Sequence, residues 1–319
     1  MIISFHSNTM TFRGSENALW DYANFNESVL GNRSVICHRV GSGEANNPVY
    51  AKWKERFPLV SYCSIKELSY QLRNLRADIL YQIKPGPFDH FIVPGLPNCI
   101  HAMFLTDEFH GDRFAFVSSW ASRAMTGQED SFVPHFVPRL QAKQNLRSRL
   151  EIPGSATVFG RHGATDTFNI PFVQRVVVEH ARKHPDDHFC FLNTREIPGT
   201  KHLRNVHYLP GTSCPDEKAS FLATCDAMLH ARWHGETFGL AVGEFAVLGK
   251  PVITYGGSRE RAHLDMLGGK AQVYENEQQL RRILEIFEPD LVWGTVYEKW
   301  SDPHVVMRIF QKRFLEETA

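Results

Sequence analysis

The stretch HARWHGETFGLAVGEFAVLGKPVIT, residues 230–254, carries two glutamates, Glu236 and Glu244, with seven residues between them. Gly235 stands before the first, and Gly249, Pro251 and Val252 follow the second. Residues 238–248 are apolar nearly all round, which predicts a helix buried on most of its faces, and PVITY at 251–255 predicts the strand after it. The helix is expected to begin near Phe238, with Glu236 just outside it or in its first turn. At 1.5 Å of rise per residue, two helical glutamates this far apart are separated by at most about 12 Å.

That span matches a sugar, a diphosphate and a ribose laid end to end. Amides free at the helix start, over Thr237, Phe238, Gly239 and Leu240, point toward an anion, and the helix dipole adds to their pull. Gly235 and Gly239 let a ligand approach the backbone. An isolated carboxylate inside an apolar helix is costly unless matched, so Glu244 asks for a partner, and the two hydroxyls of a ribose suit it. Glu236 would face whatever is joined to the distal phosphate. A plainer reading keeps Glu236 as a carboxylate that satisfies helix amides.

Working outward, short apolar runs alternate with amphipathic stretches. MIISFHS, SVICHRV, ADILYQI, HFIVPG, NCIHAMFL and RFAFVSS read as strands in the first half, with helices over 15–30 and 65–76. Three prolines and a polar stretch change the texture over 134–155. Beyond it the rhythm returns: strands ATVFGR, HFCFLNT, NVHYLPG, AMLHAR and PVITY, and helices over 169–184, 215–225, 238–248 and 259–267. The pattern predicts an α/β protein with two open parallel sheets, whose ligands sit beyond the carboxyl ends of the strands. An aromatic amphipathic helix with Trp293, Trp300 and Phe310 ends the chain.

Composition narrows the function classes. The 319 residues include 35 basic and 35 acidic side chains, a balance that argues against a nucleic-acid partner. MIISFHSNTM lacks the form of a secretory signal, and no apolar run is long enough to span a bilayer, so a cytoplasmic protein is expected. Peripheral membrane contact and oligomeric state stay open. Six cysteines lack Cys-x-x-Cys spacing, which predicts free thiols. His180 and His184 are one helical turn apart with no convergent third ligand visible, so no metal site is expected there.

The Glu236-x7-Glu244 pair followed by Gly249, Pro251 and Val252 resembles the signature of retaining GT-B-fold glycosyltransferases of the glycosyltransferase group 1 (GT4-like) superfamily. The resemblance implies two Rossmann-like domains facing each other across a cleft: an acceptor-side domain over 1–140, a nucleotide-sugar donor domain over 141–290, and a helix over 291–319 packing back toward the first. It implies a hinge near 136–150 and closure that brings donor and acceptor together. It places Glu236 near the transferred sugar and Glu244 on the nucleotide ribose. FRGSENALWDYANF resembles the first strand-to-helix loop, with Gly14 and Ser15 beside donor and acceptor. His101, ending NCIHA, resembles a histidine that faces the reaction site.

Arg161, in TVFGRHG, matches an arginine that the family uses on the donor pyrophosphate. The lysine usual a few residues later is absent, His162 and Thr165 standing near its place, and Arg232 is the expected substitute. The implied reaction moves a hexose-type sugar from a nucleoside diphosphate sugar to a glycan, lipid or protein-linked hydroxyl, with retention and without cofactor or metal. Two rivals remain: a nucleotide-sugar epimerase of the same architecture, or a non-catalytic nucleotide-sugar or glycan-binding protein, which the missing lysine favours.

Overall fold

The computed structural model describes residues 1–10, 14–41 and 48–316. Phe12 and Arg13 of the first strand-to-helix loop lie outside the described residues. Contacts divide the chain into two compact units, Met1–Phe136 with Asp302–Ala319, and Val137–Ser301.

The first unit is built from β1 (Ile2–Ser7), α1 (Gly14–Ser28), β2 (Arg33–Arg39), α2 (Pro48–Arg56), β3 (Leu59–Tyr62), α3 (Ile65–Asn74), β4 (Ile79–Lys84), β5 (Asn98–Ala102), β6 (Arg113–Phe116) and α4 (Ser119–Thr126). Its parallel sheet runs β3-β2-β1-β4-β5-β6. The central strands are buried along their length, as strands covered on both faces must be. A C-terminal helix, Pro303–Phe310, completes the unit. Phe310 stacks on Tyr22 and Phe5, and Phe314 packs on Tyr81.

HFIVPG, expected as a strand, is a loop. Phe91 and Val93 pack into the core with Val35, Leu68 and Leu80, but Asn98 holds the Val93 backbone: Oδ1 accepts from its N–H at 2.9 Å and Nδ2 donates to its carbonyl at 2.9 Å. One side chain thus does the work of a ladder, and an apolar run alone cannot reveal it. RFAFVSS likewise ends early, because Ser118 accepts from the Ala121 amide and starts α4.

The second unit comprises β7 (Thr157–His162), α5 (Pro171–Lys183), β8 (Asp187–Leu192), β9 (Val206–Leu209), α6 (Pro215–Thr224), β10 (Ala227–His230), β11 (Gly235–Glu236), α7 (Leu240–Ala246), β12 (Val252–Tyr255), β13 (Glu260–Arg261), α8 (Ala262–Leu267), β14 (Gln272–Tyr274) and α9 (Glu277–Glu285). Its parallel sheet runs β14-β12-β10-β7-β8-β9. Phe159, Val173, Val177, Phe189, Leu229 and Ile253 fill its core. The two separate parallel sheets, each flanked by helices, are those of two Rossmann-like domains.

α7 begins at Leu240 rather than near Phe238 because Gly239, at φ +84°, sits in the left-handed region outside the helix. A Cβ there would also fall 2.9 Å from the Tyr297 Oη. All six cysteines are free thiols, and among the described residues no helix is long and apolar enough to cross a membrane.

Candidate functional site

In the second sheet the chain moves outward from β7 through β8 to β9, then returns to β10 and moves the other way through β12 to β14. The order therefore reverses between β7 and β10, and the crevice beyond their carboxyl ends is where open α/β sheets take ligands. β7 ends in Arg161 and His162, and β10 ends in His230, two residues before Arg232.

Arg161 is buried, 3% exposed. Its guanidinium donates to the backbone oxygens of Asn193 at 3.3 Å and Ala164 at 2.7 Å, and to the hydroxyls of Thr194 and Thr167. All four acceptors are neutral, and among the described residues Arg161 makes no ion pair. Burial pulls its pKa down to about 10, so it is a cation at neutral pH. The charges of Glu236 and Asp166 act on it only through space, and a buried guanidinium whose hydrogen bonds all go to neutral oxygens favours a nearby anion.

Glu236 is placed by a two-residue ribbon, β11 pairing with β13 in the register Glu236 to Arg261. Its Oε2 accepts from Arg232 Nη1 at 2.7 Å and its Oε1 lies 3.3 Å from His230 Nε2. Burial pushes this carboxyl upward, but the His230 hydrogen bond and the charge of Arg232 outweigh it, and the group titrates below its usual range. Behind it, His230 Nδ1 meets Thr254 Oγ1 at 2.8 Å, and Thr254 Oγ1 meets His263 Nε2 at 3.1 Å. An ionised Glu236 is acceptor-only, so one consistent assignment has His263 donating to Thr254, Thr254 to His230, and His230 to Glu236. The chain of bonds fixes both the carboxylate and the ring that faces it.

Glu244 is buried on α7 and its partners are protein groups. Lys218 Nζ lies 2.5 Å from Oε1 and His162 Nε2 lies 2.9 Å from Oε2. Burial would raise its pKa, yet His162 and Lys218 together hold it down at about 2. The partner that a carboxylate in an apolar helix asks for is thus supplied, at least in part, by Lys218 and His162. Lys218, on α6, was not singled out in the sequence because KAS in PDEKASFLAT has the look of an ordinary helix surface; only folding brings it to Glu244. Thr254 and His263 likewise carry no signal in the sequence and reach Glu236 only through the folded chain of bonds. Arg232, expected to substitute for a missing lysine, is engaged with Glu236.

Thr237, Phe238 and Gly239 form the turn between Glu236 and α7, and the Phe238 carbonyl accepts from the Tyr297 hydroxyl. In the first unit, Gly14 opens α1, and the Ser15 hydroxyl donates to Glu16 Oε2 at 2.5 Å. His101 is completely buried. Its Nδ1 bonds the Tyr81 hydroxyl at 2.6 Å and its Nε2 the Val133 carbonyl at 2.9 Å, which leaves no free ring nitrogen. Burial depresses its pKa well below the ordinary value. A third candidate ligand does converge on His180 and His184: Asp187.

No protein-family model matches the chain, and no curated protein matches it in sequence. Solved structures do. Anabaena Alr3699/HepE in complex with UDP-glucose superposes with a TM-score of 0.67 at 15% identity, over 98% of this chain and 95% of that one. The fold is GT-B-like. A glycosyltransferase from Rickettsia africae ESF-5 shares this GT-B-like fold with a TM-score of 0.63 at 11% identity, over 98% and 94% of the two chains. So does a UDP-GlcNAc 2-epimerase from Neisseria meningitidis bound to UDP-GlcNAc, with a TM-score of 0.63 at 12% identity, over 98% and 100%.

Proposed function

We propose that the chain is a retaining glycosyltransferase, moving a hexose-type sugar from a nucleoside diphosphate sugar to a hydroxyl of a glycan, lipid or protein-linked acceptor. The observation that carries this reading is Arg161: a buried cation caged by neutral oxygens at the sheet's switch point, in the same unit as the paired Arg232 and Glu236. Solved relatives in fold that hold UDP-glucose or UDP-GlcNAc support the choice of ligand class.

On this reading the Val137–Ser301 unit is the donor side, and the unit of Met1–Phe136 with Asp302–Ala319 is the acceptor side. Arg161 receives the diphosphate and stabilises the charge that grows on it as the glycosidic bond breaks. The amides of Phe238, Gly239 and Leu240 would contribute donors to the same phosphates, and Thr237 its hydroxyl. Glu236, ionised and locked by His230 and Arg232, accepts hydroxyls of the donor sugar and orients it; it is not a covalent nucleophile. The acceptor attacks on the face the leaving group departs from, and the leaving phosphate takes its proton. Glu244, bonded by Lys218 on one oxygen and faced by His162 on the other, keeps lone pairs for ribose hydroxyls. Fixed cations then replace a donor-bound metal, and a cytoplasmic site suits a nucleotide-sugar donor.

A second reading is a nucleotide-sugar epimerase. The tandem His230 and His263 behind Glu236 favours it, since epimerisation needs groups that move protons. Incubation with UDP-, GDP-, ADP- and dTDP-sugars, with and without glycan acceptors, separates the two. Acceptor-dependent release of nucleoside diphosphate that Glu236→Gln abolishes supports transfer. An epimerised nucleotide sugar formed without acceptor supports the second reading, and turnover unchanged in Glu236→Gln contradicts both.

A further inference from the structure

At the opposite end of the second sheet, the segment HARKHPDD, residues 180–187, joins α5 to β8. His180 lies in the last turn of α5 and His184 is the residue that caps its end, and their rings stack 4.3 Å apart with 24° between planes. Pro185 stops the helix, and the chain reverses so that Asp187 at the start of β8 points back at them. Its Oδ2 lies 2.7 Å from His180 Nε2. The three side chains bring their ligand atoms within 4.8 Å of one another. Among the described residues His184 Nε2 is buried and meets no hydrogen-bond partner.

The turn that carries them is rigidly built. Asn205, itself 6% exposed, donates through Nδ2 to the carbonyls of Ala181 at 2.9 Å, His184 at 3.1 Å and Asp187 at 2.7 Å. The negative end of the α5 dipole also points here, which favours a cation. Two imidazoles and one carboxylate on a fixed turn make a donor set suited to late first-row divalent ions rather than Mg2+ or Ca2+.

We propose that His180, His184 and Asp187 form a binding site for a single Zn2+-class cation, with water as its fourth ligand, that pins the α5–β8 turn. Tetrahedral zinc with bonds near 2.0–2.1 Å sets its ligand atoms roughly 3.3 Å apart, so modest side-chain rotation closes the site. Metal binding through His180 Nε2 requires that nitrogen free of its proton, so the ring takes its Nδ1–H tautomer and any further proton goes to solvent. Because Asp187 pairs with Thr157 and Leu192 with His162, the site lies about 16 Å along the strands from the Arg161 end. The metal is therefore structural and takes no part in chemistry at Arg161 and Glu236.

The test is calorimetric titration of the chelator-stripped full chain with ZnCl2 at pH 7.5, paired with thermal melts. One equivalent should bind and raise the melting temperature by several degrees. His184→Ala and Asp187→Asn should each weaken zinc binding at least 30-fold; the second variant keeps a hydrogen-bond acceptor for His180 and so keeps the fold. His207→Ala, which touches the neighbouring His188 and not this cluster, should bind as the unaltered chain does. Non-saturating or absent zinc binding, or one-equivalent binding that survives both His184→Ala and Asp187→Asn, would overturn the proposal.

Discussion

Arg161 and Glu244 are both buried charges, solved in opposite ways. Arg161 makes its hydrogen bonds to neutral oxygens and feels Glu236 and Asp166 only through space, whereas Glu244 is met directly by the charge of Lys218 and by His162. An arginine held so is poised for an anion, and Arg161→Ala should lower turnover by at least about 100-fold, the usual effect of losing one preorganised donor to a growing negative charge. Arg161→Lys should recover little, because an ammonium cannot reproduce the planar fork that four oxygens cradle; steady-state kinetics of the two variants check this. Glu244 makes a stability prediction. Its folded pKa, about 2, lies below the ordinary 4.5, so its contribution is present above about pH 4.5 and is lost as pH falls toward 2. The linkage is of order 3 kcal/mol, and urea melts at pH 5 and pH 3 should show a smaller difference for Glu244→Gln than for the unaltered chain. Of these residues, the two glutamates stand out in the sequence by their spacing, and Arg161 by the family resemblance alone. Their partners Thr167, Thr194, His162 and Lys218 were not, since loops and helices that share no pattern bring them together.

The elements that aim Glu236 are among the smallest in the fold. β11 and β13 have two residues each, too short for any periodicity to mark them in the sequence. Their contact nevertheless tolerates no side chain at Gly235, where a Cβ would fall 1.9 Å from the Glu260 carbonyl. Gly235→Ala should break the ribbon and cost transfer activity out of proportion to any loss of stability, a split that kinetics and melting curves resolve. Gly239→Ala should cost stability by about 2 kcal/mol, from a left-handed backbone and the crowding of Tyr297. Tyr297→Phe removes only the bond to the Phe238 carbonyl and should cost about 1 kcal/mol in denaturant melts. The sequence offers Gly235 and Gly239 as room for a ligand; in the structure Gly239 is also room for Tyr297, and Gly249 is room for Trp293.

Across the whole molecule, alternating apolar runs sufficed for two parallel sheets, because strands covered on both faces leave a strong signal. Strand order left none, and it is strand order that puts the ends of β7 and β10 side by side at the switch point. Neither could the sequence show how many histidines fold into dry surroundings. His6, His135 and His263 are each pushed down to about 3, chiefly by burial. The unfolded chain, with histidines near 6.5, takes up protons that the folded chain refuses, so this stability is present above pH 6.5 and is lost as pH falls toward 3. Melting temperature should therefore begin to fall just below pH 6.5, well before the carboxylates titrate.

The central claim is that the switch point of the second sheet holds a nucleoside diphosphate through Arg161. Calorimetric titration of UDP, GDP, ADP and dTDP into the unaltered chain and into Arg161→Ala tests it directly. The account predicts that one of these binds the unaltered chain with saturation and binds Arg161→Ala at least tenfold more weakly. Equal affinity for the two proteins, or no binding of any of the four, would contradict it.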